Sequence, residues 1–490
     1  MKVLPCHTIR RAEQELFDSG AMSSDELMDI AIDSAVEQLT RDAALAHACT
    51  RFERVVVYIG KGNNAGDAIG IARRLGFSRV ALRCAAPLHE LSPPTRRQLS
   101  LLPPDSREPL DTPPTPRHPA EALLLIDGLL GSGAHGSLRP EYAALAEEMN
   151  TLRATHPNCT LLAVDIPSGL DAEHGAVHSP IVQADATLAI GCVKPGMLAD
   201  GAEDYVGRII CAPLPEAVRR PHTAVQMLDA STPTWLPRRP YSFFKNRAGR
   251  VRIIAGSPGY IGAAQMCAEA ALAAGAGLVE LFCHPEIYPI LAARIAPEVM
   301  VRCVSSYELV PTEGADALLI GPGLGRPDAA NSAALRRMVE TPPCPLVLDA
   351  DGLNLAAAEG WRISPRCILT PHPGEMRRLF PEGAQLSRAE CAARYVAERP
   401  CTLLLKGART IITDGVSTYY NSSGGPYMAN GGQGDVLSGV IAALAAQGMS
   451  SLRAAALGAY SCGCAADRAH RTHSLAVGAT QTLRHLFLAP

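Results

Sequence analysis

Short, continuously apolar runs that end in glycine or an ionisable residue recur along this chain, and they limit its fold more than any other feature. The first half carries RVVVYIG (54–60), RVALRCA (79–85), ALLLIDG (122–128), TLLAVDI (160–166) and ATLAIG (186–191). The second half carries RVRIIAG (250–256), LVELFCH (278–284), ADALLIG (315–321), PLVLDAD (345–351), CILTPH (367–372) and CTLLLKG (401–407). A strand with one wet face alternates polar and apolar residues; these runs do not. They read as parallel strands covered on both faces. Helical patterns such as GDAIGIARRLG and RPEYAALAEEMNTLRA lie between several of them. The fold class is therefore α/β. Ligands of open α/β sheets bind at the carboxyl ends of the strands, so the chemistry belongs at the residues that end the runs.

At 490 residues, one core is not enough, and two or three domains are expected. The chain divides where LPEAVRRPHTAVQMLDASTPTWLPRRP interrupts the periodicity with prolines. That gives a domain over 1–213, a linker over 214–235 and a domain over 236–490. A second Pro-rich stretch, 87–119, reads as an exposed loop with one helical piece, TRRQLSLL. The net charge of -3 argues against a nucleic-acid partner, whose binding rests on a basic surface. Fifteen scattered cysteines without metal-type spacing suit reduced thiols in the cytoplasm. No signal-peptide core opens the chain, and no apolar stretch approaches the roughly 20 residues that span a bilayer, so no membrane association is expected.

Strand 54–60 runs into Gly60-Lys61-Gly62-Asn63-Asn64-Ala65-Gly66-Asp67. Read as G-x-G-x-x-A this suggests dinucleotide binding, but Arg83-Cys84 stands where a ribose-binding carboxylate would be needed. The Asn-Asn pair can hold a cation or a polar ligand, or simply form a turn that caps the next helix. Asp127 leads into Gly128-Leu129-Leu130-Gly131-Ser132-Gly133-Ala134-His135-Gly136-Ser137, and Asp165 leads into Ile166-Pro167-Ser168-Gly169. Two carboxylates, a serine and a glycine loop thus reach one sheet edge. Their oxygens suit a hard cation, with one carboxylate left for proton transfer.

In the second half, Ala429-Asn430-Gly431-Gly432-Gln433-Gly434-Asp435 precedes the apolar run VIAALAAQG. Glycine N–H groups and a helix N-terminus favour an anion there. Asp435 would take a hydroxyl proton where a phosphate arrives, which suits phosphoryl transfer to an alcohol; the plainer reading makes it a helix cap. AGSPGYIGAA (255–264), GPGLG (321–325), TPHPGE (370–375) and LLLKGART (403–410) stand in series before it. Singly, GPGLG reads as a tight turn, His372 as a satisfied loop histidine and Lys406 as a solvent-reaching side chain. No GxxxxGK[ST] sequence is present, so a P-loop is excluded.

GKGNNAGD, LLIDGLLGSG, AVDIPSGLD and VKPGMLADGAEDYVGRI resemble the motifs of NAD(P)H-hydrate epimerases over most of residues 1–213. The resemblance implies a Rossmann-like parallel sheet in a three-layer sandwich, with K+ on Asn64, Asp127 and Ser168. It implies substrate contacts from Asn63, Asn64, Ala65, Gly66 and Asp67, from Gly131, Ser132, Gly133, Ala134, His135, Gly136 and Ser137, and from Asp165, the candidate for proton transfer. NNAGDA stands here for the usual NNGGDG, which requires an ordinary φ at Ala65, and LMDIAI stands for LMERAG.

The second-half series resembles the ADP/ATP-dependent NAD(P)H-hydrate dehydratases, of ribokinase-like fold, over roughly 236–490. That resemblance implies substrate contacts from Ala263, Gly325, His372 and Asp435, and a nucleotide on Lys406, Gly407, Ala408, Arg409, Thr410 and Gly434, accompanied by Mg2+. KNRAG (245–249) replaces the usual HKGxxG, and ANGGQGDVLSG the usual ATGGSGDVLTG. Together the two resemblances imply a bifunctional enzyme. It would epimerise the R and S hydrates NADHX and NADPHX and dehydrate the S form with ADP or ATP, giving AMP or ADP and phosphate. A homo-oligomer is expected. A ribokinase-type small-alcohol kinase with a non-catalytic N-terminal module is the alternative, marked by a phosphorylated product that persists.

Overall fold

The computed structural model describes residues 1–41, 52, 54–110, 112–116, 118, 120–219, 221, 223–236, 239–472 and 475–488. The chain forms two compact units, Met1–Val225 and Gln226–Pro490. The first holds a six-stranded parallel sheet of β1 (Arg54–Ile59), β2 (Val80–Cys84), β3 (Leu123–Gly128), β4 (Cys159–Val164), β5 (Ala186–Ile190) and β6 (Arg208–Ala212), in the order β2-β1-β3-β4-β5-β6. Every residue of β1 and β3 is buried. Val55, Val57 and Ile59 pack into one core, Val56 and Tyr58 into another. Burial on both faces is why these runs do not alternate. The order reverses between β1 and β3, which opens a crevice at their carboxyl ends.

The second unit holds a ten-stranded sheet. Its strands are β7 (Val225–Met227), β8 (Arg250–Ile254), β9 (Leu278–Cys283), β10 (Val299–Cys303), β11 (Ala317–Ile320), β12 (Leu346–Leu348), β13 (Cys367–Leu369), β14 (Thr402–Leu405), β15 (Thr410–Thr413) and β16 (Thr418–Asn421). Their order is β10-β9-β8-β11-β12-β13-β14-β15-β16-β7, parallel from β10 to β14 and antiparallel from β14 to β16. The order reverses between β8 and β11. The Ala-rich runs form the helices Ile261–Ala273 and Gln433–Ala446, and the second of these is buried from Val436 to its end. The two pack so closely that a Cβ on Gly439 would lie 2.1 Å from the Cys267 carbonyl oxygen, so only glycine fits there.

The Pro-rich stretch 87–119 is more than an exposed loop. Ser92 caps a helix over Pro93–Leu101, and Thr95 and Gln98 on it are fully buried. Positions 111, 117 and 119 of that stretch lie outside the described residues, as do 220 and 222 of the expected linker. Within 214–235 the chain forms the helix Glu216–Arg219 and the short strand β7. Leu228 N–H then bonds to the Tyr420 carbonyl of β16. Every described cysteine is a free thiol. Among the described residues no helix is long and apolar enough to cross a membrane.

Candidate active sites

In the first unit the site grows from the β1/β3 crevice. Gly62 is the N-cap of the helix Asn63–Arg74, so Asn63 to Asp67 form its first turn and neither asparagine caps it. Asn63 Oδ1 accepts from Ser92 Oγ at 2.8 Å. Asn64 turns inward: its Nδ2 donates to the Leu130 carbonyl at 2.8 Å, and its Oδ1 is buried with no hydrogen-bond partner among the described residues. The Leu130 N–H donates to Ser168 Oγ at 3.1 Å. Ser168 in turn donates to both oxygens of Asp127, from Oγ and from its backbone N–H, each at 2.8 Å. Asp127 is fully buried. Burial pushes its carboxyl up to about 6 against the hydrogen bonds from Ser168 and Leu129. A buried carboxylate, a hydroxyl and an unpartnered amide oxygen fit a monovalent hard cation. Among the described residues no group of three or more His, Cys, Asp or Glu could hold a metal ion.

Asp165, at the end of β4, has φ +67°, a conformation that a non-glycine residue keeps only where its surroundings enforce it. Its Oδ1 is paired with the ammonium of Lys194, which is almost fully buried and also donates to the Ile190 carbonyl at 2.8 Å. Its Oδ2 accepts from Ser132 N–H at 2.8 Å. Burial works to raise the Asp165 pKa, but the Lys194 charge and the bonds from Lys194 and Ser132 outweigh it and hold the carboxyl below its ordinary range. Asp67 goes the other way, raised well above the usual carboxylate range by burial and then by the charges of Asp165 and Glu13. Gly131 separates the two groups of side chains: a Cβ there would lie 3.1 Å from Asp165 Oδ2 and 3.3 Å from Asn64 Cβ. Past it, a cavity of about 280 Å³ is lined in part by Ala134, His135, Gly136, Ser137, Arg139 and His178.

In the second unit, Gly432 is the N-cap of the helix Gln433–Ala446, with φ +92°, and no side chain caps that end. Asp435 is thus a residue of the first turn and not a cap. Among the described residues, no hydrogen bond reaches its carboxylate, and the backbone N–H groups of Gly431 to Asp435 have no acceptor. β12 delivers Asp349, and the backbone at Ala350 then adopts φ +49° before the next helix starts at Asp351. Asp349 joins two elements: Lys406 Nζ lies 3.0 Å from its Oδ1, and Ser438 Oγ donates to its Oδ2 at 2.5 Å. A Cβ on Gly434 would lie 3.4 Å from Lys406 Nζ. Burial, then the Asp349 charge, push Asp435 up to about 7, against the pull of Lys406.

The other expected residues surround this point. Gly325, at φ +71°, donates its N–H to Asp351 Oδ2 at 2.8 Å. Ala263 lies in the first turn of Ile261–Ala273, where a Cβ on Gly323 would come 3.0 Å from its own Cβ. His372 caps the helix Pro373–Leu379, its Nδ1 accepting from Gly374 N–H at 2.9 Å while Glu375 accepts from the His372 N–H at 2.8 Å. Glu375 Oε2 is also 3.8 Å from Lys406 Nζ. Lys406 therefore faces carboxylates and not solvent. Gly407 and Ala408 are exposed in the turn to β15, Arg409 is buried, and Thr410 Oγ1 donates to the Gly407 carbonyl at 3.0 Å.

Residues 251–487 match the family model described as NAD(P)H-hydrate dehydratase, and residues 24–196 match that of the YjeF-related protein N-terminus. The bifunctional NAD(P)H-hydrate repair enzyme of Moorella thermoacetica is 35% identical over 449 residues, covering 85% of this chain and 83% of that protein. The bifunctional repair enzyme of Escherichia coli is 35% identical over 479 residues, covering 94% and 88%. The chain belongs to the bifunctional NAD(P)H-hydrate repair enzymes. The ADP/ATP-dependent NAD(P)H-hydrate dehydratase of Bacillus subtilis, co-crystallised with ATP and Mg2+, aligns with a TM-score of 0.45 at 26% identity, covering 52% of this chain and 93% of that one. Against the motifs of the repair-enzyme family, sequence reasoning left Lys194, Asp349, Asp351 and Glu375 without roles. Each stands inside or beside a quoted motif, and Asp349 and Lys194 closely follow strands, where the end-of-run argument already pointed.

Proposed function

We propose that residues 1–213 interconvert the R and S forms of NAD(P)HX and that residues 236–490, a ribokinase-like domain, restore the S form to NAD(P)H with ADP or ATP. The observation that carries the dehydratase assignment is Asp435: a carboxyl pushed up to about 7, in the first turn of a helix, where among the described residues no hydrogen bond reaches it and the leading N–H groups lack acceptors. Hydroxide is a poor leaving group. Asp435 takes the proton of the substrate hydroxyl, the oxygen accepts the terminal phosphoryl group of the nucleotide, and phosphate then leaves C6 with the bonding electrons, pushed by N1, while C5 gives up a proton to solvent and the C5–C6 double bond is restored. The N–H groups of Gly431 to Gly434 stabilise charge on the phosphoryl group during transfer. Ala263, Gly325 and His372 line the substrate side; Lys406 to Thr410 and Gly434 line the nucleotide side. Asp351, which uses one carboxylate oxygen on the Gly325 N–H, would offer the other to a Mg2+ bound with the nucleotide, which would supply charge neutralisation at the phosphates.

In the first unit, Asp165 exchanges the hydroxyl proton of the hydrate. Asn63 to Asp67 and Gly131 to Ser137 line the substrate. Asn64, Asp127 and Ser168 would hold K+, which would supply the partner that the buried Asn64 Oδ1 lacks among the described residues. Free thiols throughout the described residues suit a reducing cytoplasm. The test is to incubate purified protein with mixed hydrate epimers and either nucleotide while following NADH absorbance. Complete conversion of both epimers is expected. A phosphorylated product that persists would mark a kinase instead.

A further inference from the structure

Adding water across C5 and C6 of the reduced nicotinamide ring leaves C6 bonded to both a hydroxyl and N1. The route that inverts C6 without oxidation and without expelling hydroxide is for the C6–N1 bond to open and reclose. On opening, the hydroxyl proton is lost, a C=O bond forms, and the C6–N1 electron pair moves onto N1, where it is conjugated with the ring carboxamide. N1 then takes up a proton. Rotation about C5–C6 and reclosure reverse every transfer. The site must therefore offer one carboxylate that accepts a proton and one group that donates a proton at the same time.

Lys194 is one buried ammonium among three carboxyl groups. It pairs with Asp165, and its field also reaches Asp67 and Glu13. Its other hydrogen bond goes to the Ile190 carbonyl. The thiols of Cys6 and Cys192 face it as well, and Arg10 offsets part of the charge at Glu13. Asp67 has no such partner: among the described residues no ion pair or hydrogen bond reaches its half-buried carboxyl. It rides on the helix that begins at the carboxyl end of β1, three residues beyond Asn64. Glu13 lies on the helix Cys6–Asp18, outside the turn that follows β1, and its charge is felt by both Asp67 and Asp165.

Resting on the epimerase reading above, we propose that Asp67 is the second proton-transfer residue of epimerisation, acting opposite Asp165, and that Lys194 is the positioning residue of Asp165. Two carboxyl groups whose environments diverge in this way divide acid and base roles. Asp165 accepts the hydroxyl proton while Asp67 donates to N1, and both are restored on reclosure.

The experiment measures epimer exchange in the full-length protein across pH. In the parent, kcat should fall at high pH as Asp67 loses its proton. Asp67→Asn should lower kcat by about 10²–10⁴-fold with KM little changed, and should abolish that alkaline limb. Lys194→Met should move the acid limb to higher pH, whereas Lys194→Arg should leave it near the parent's. Cooperative urea unfolding of each variant, read by circular dichroism against the parent, reports that the first unit is folded, and nucleotide-dependent NADH formation from the S epimer reports that the other domain is undisturbed. Exchange in Asp67→Asn at the parent's rate, or an alkaline limb that survives in it, overturns the proposal. If Asp67→Asn does not fold, the parent's own profile decides, and a parent without an alkaline limb overturns it. A parent that exchanges no epimers removes the epimerase reading itself, and this proposal with it.

Discussion

The Lys406 ammonium lies 3.0 Å from Asp349 Oδ1 and 3.8 Å from Glu375 Oε2, and this leaves Asp435 without a counterion of its own among the described residues. Burial, then the Asp349 charge, push the third up to about 7, and the one cation, shared by two other carboxylates, offsets this only in part. A carboxyl of that kind is a usable base. Raised in this way, it holds a proton more tightly than an ordinary carboxylate does and is the stronger base.

Changing Asp435→Asn removes the base at nearly constant volume. The N–H groups of Gly431 to Gly434 do not depend on the carboxylate, so nucleotide should still bind. Turnover of the S hydrate should fall by about 10²-fold or more, with epimer exchange unchanged. Calorimetry with ADP or ATP separates the two roles: lost turnover together with lost binding would make Asp435 a structural residue of the turn.

The pH dependence has a definite sign. Asp435 must be ionised to accept the proton, and its carboxyl is pushed up to about 7. Dehydratase kcat/KM should therefore rise with pH through about 7 and level off above it. The stability effect runs oppositely. A raised carboxyl pKa means the native state binds its proton more tightly than the unfolded chain, so stability falls as pH rises from about 4 to about 7. Asp435→Asn should accordingly be more stable than the parent at pH 8 and no more stable at pH 4, as read by urea unfolding.

Lys406→Met should destabilise the second unit, because it leaves Asp349 buried beside Glu375 with no cation. Removing one partner of a buried pair costs about 3–5 kcal/mol. Lys406 keeps 23% of its side chain exposed, which puts the loss at the low end, about 3 kcal/mol. Adding Asp349→Asn to Lys406→Met should recover part of it. A double variant no more stable than Lys406→Met would mean that the Asp349 charge is not what the lysine balances.

The central strands were legible because burial on both faces leaves an unbroken apolar run, as in VVVYI of β1. β6, β10, β15, β16 and β7 were not. Each is short or half exposed, as in β10, where Arg302 and Cys303 face outward, and β16, where Thr418 and Tyr419 are only partly covered. Their signal merges with that of loops. Among the site residues, Asp435 was legible from its glycines. Lys194 was not, because a lysine after a strand reads as solvent-facing until a partner 29 residues away is placed beside it. The helical piece TRRQLSLL was legible and falls on the helix Pro93–Leu101, but its burial was not: Thr95 and Gln98 are polar, and only the contacts of the fold show that they are buried.

Ala65 stands where the epimerase motif usually has glycine, and the structure accommodates it without strain. It is the third residue of the helix Asn63–Arg74, fully buried, and has no positive φ. Ala65→Gly should therefore gain nothing for catalysis. It should cost about 0.5–1 kcal/mol of stability, the usual penalty for glycine inside a helix. Faster epimer exchange in Ala65→Gly would show that the usual glycine serves close substrate approach.

The cation reading makes the last prediction, and it rests on Asn64 Oδ1, buried with no partner among the described residues, beside the Ser168–Asp127 pair. An ion that binds only the folded state stabilises it by RT ln(1 + [L]/Kd), about 2.7 kcal/mol at a hundredfold excess over Kd. Potassium should raise the melting temperature of the parent above that in the large cation tetramethylammonium at equal ionic strength. Asn64→Ala and Asp127→Ala should each lose most of that difference, because both remove an oxygen from the same shell. Ser168→Ala should lose it too, while removing only one of the two hydrogen bonds that Ser168 gives Asp127, since the backbone N–H bond at 2.8 Å remains. Asn63→Ala is the control: its side-chain oxygen is already taken by Ser92, so the potassium-dependent shift should persist. Equal shifts in the parent and Asn64→Ala would show that the orphaned amide oxygen is not a ligand.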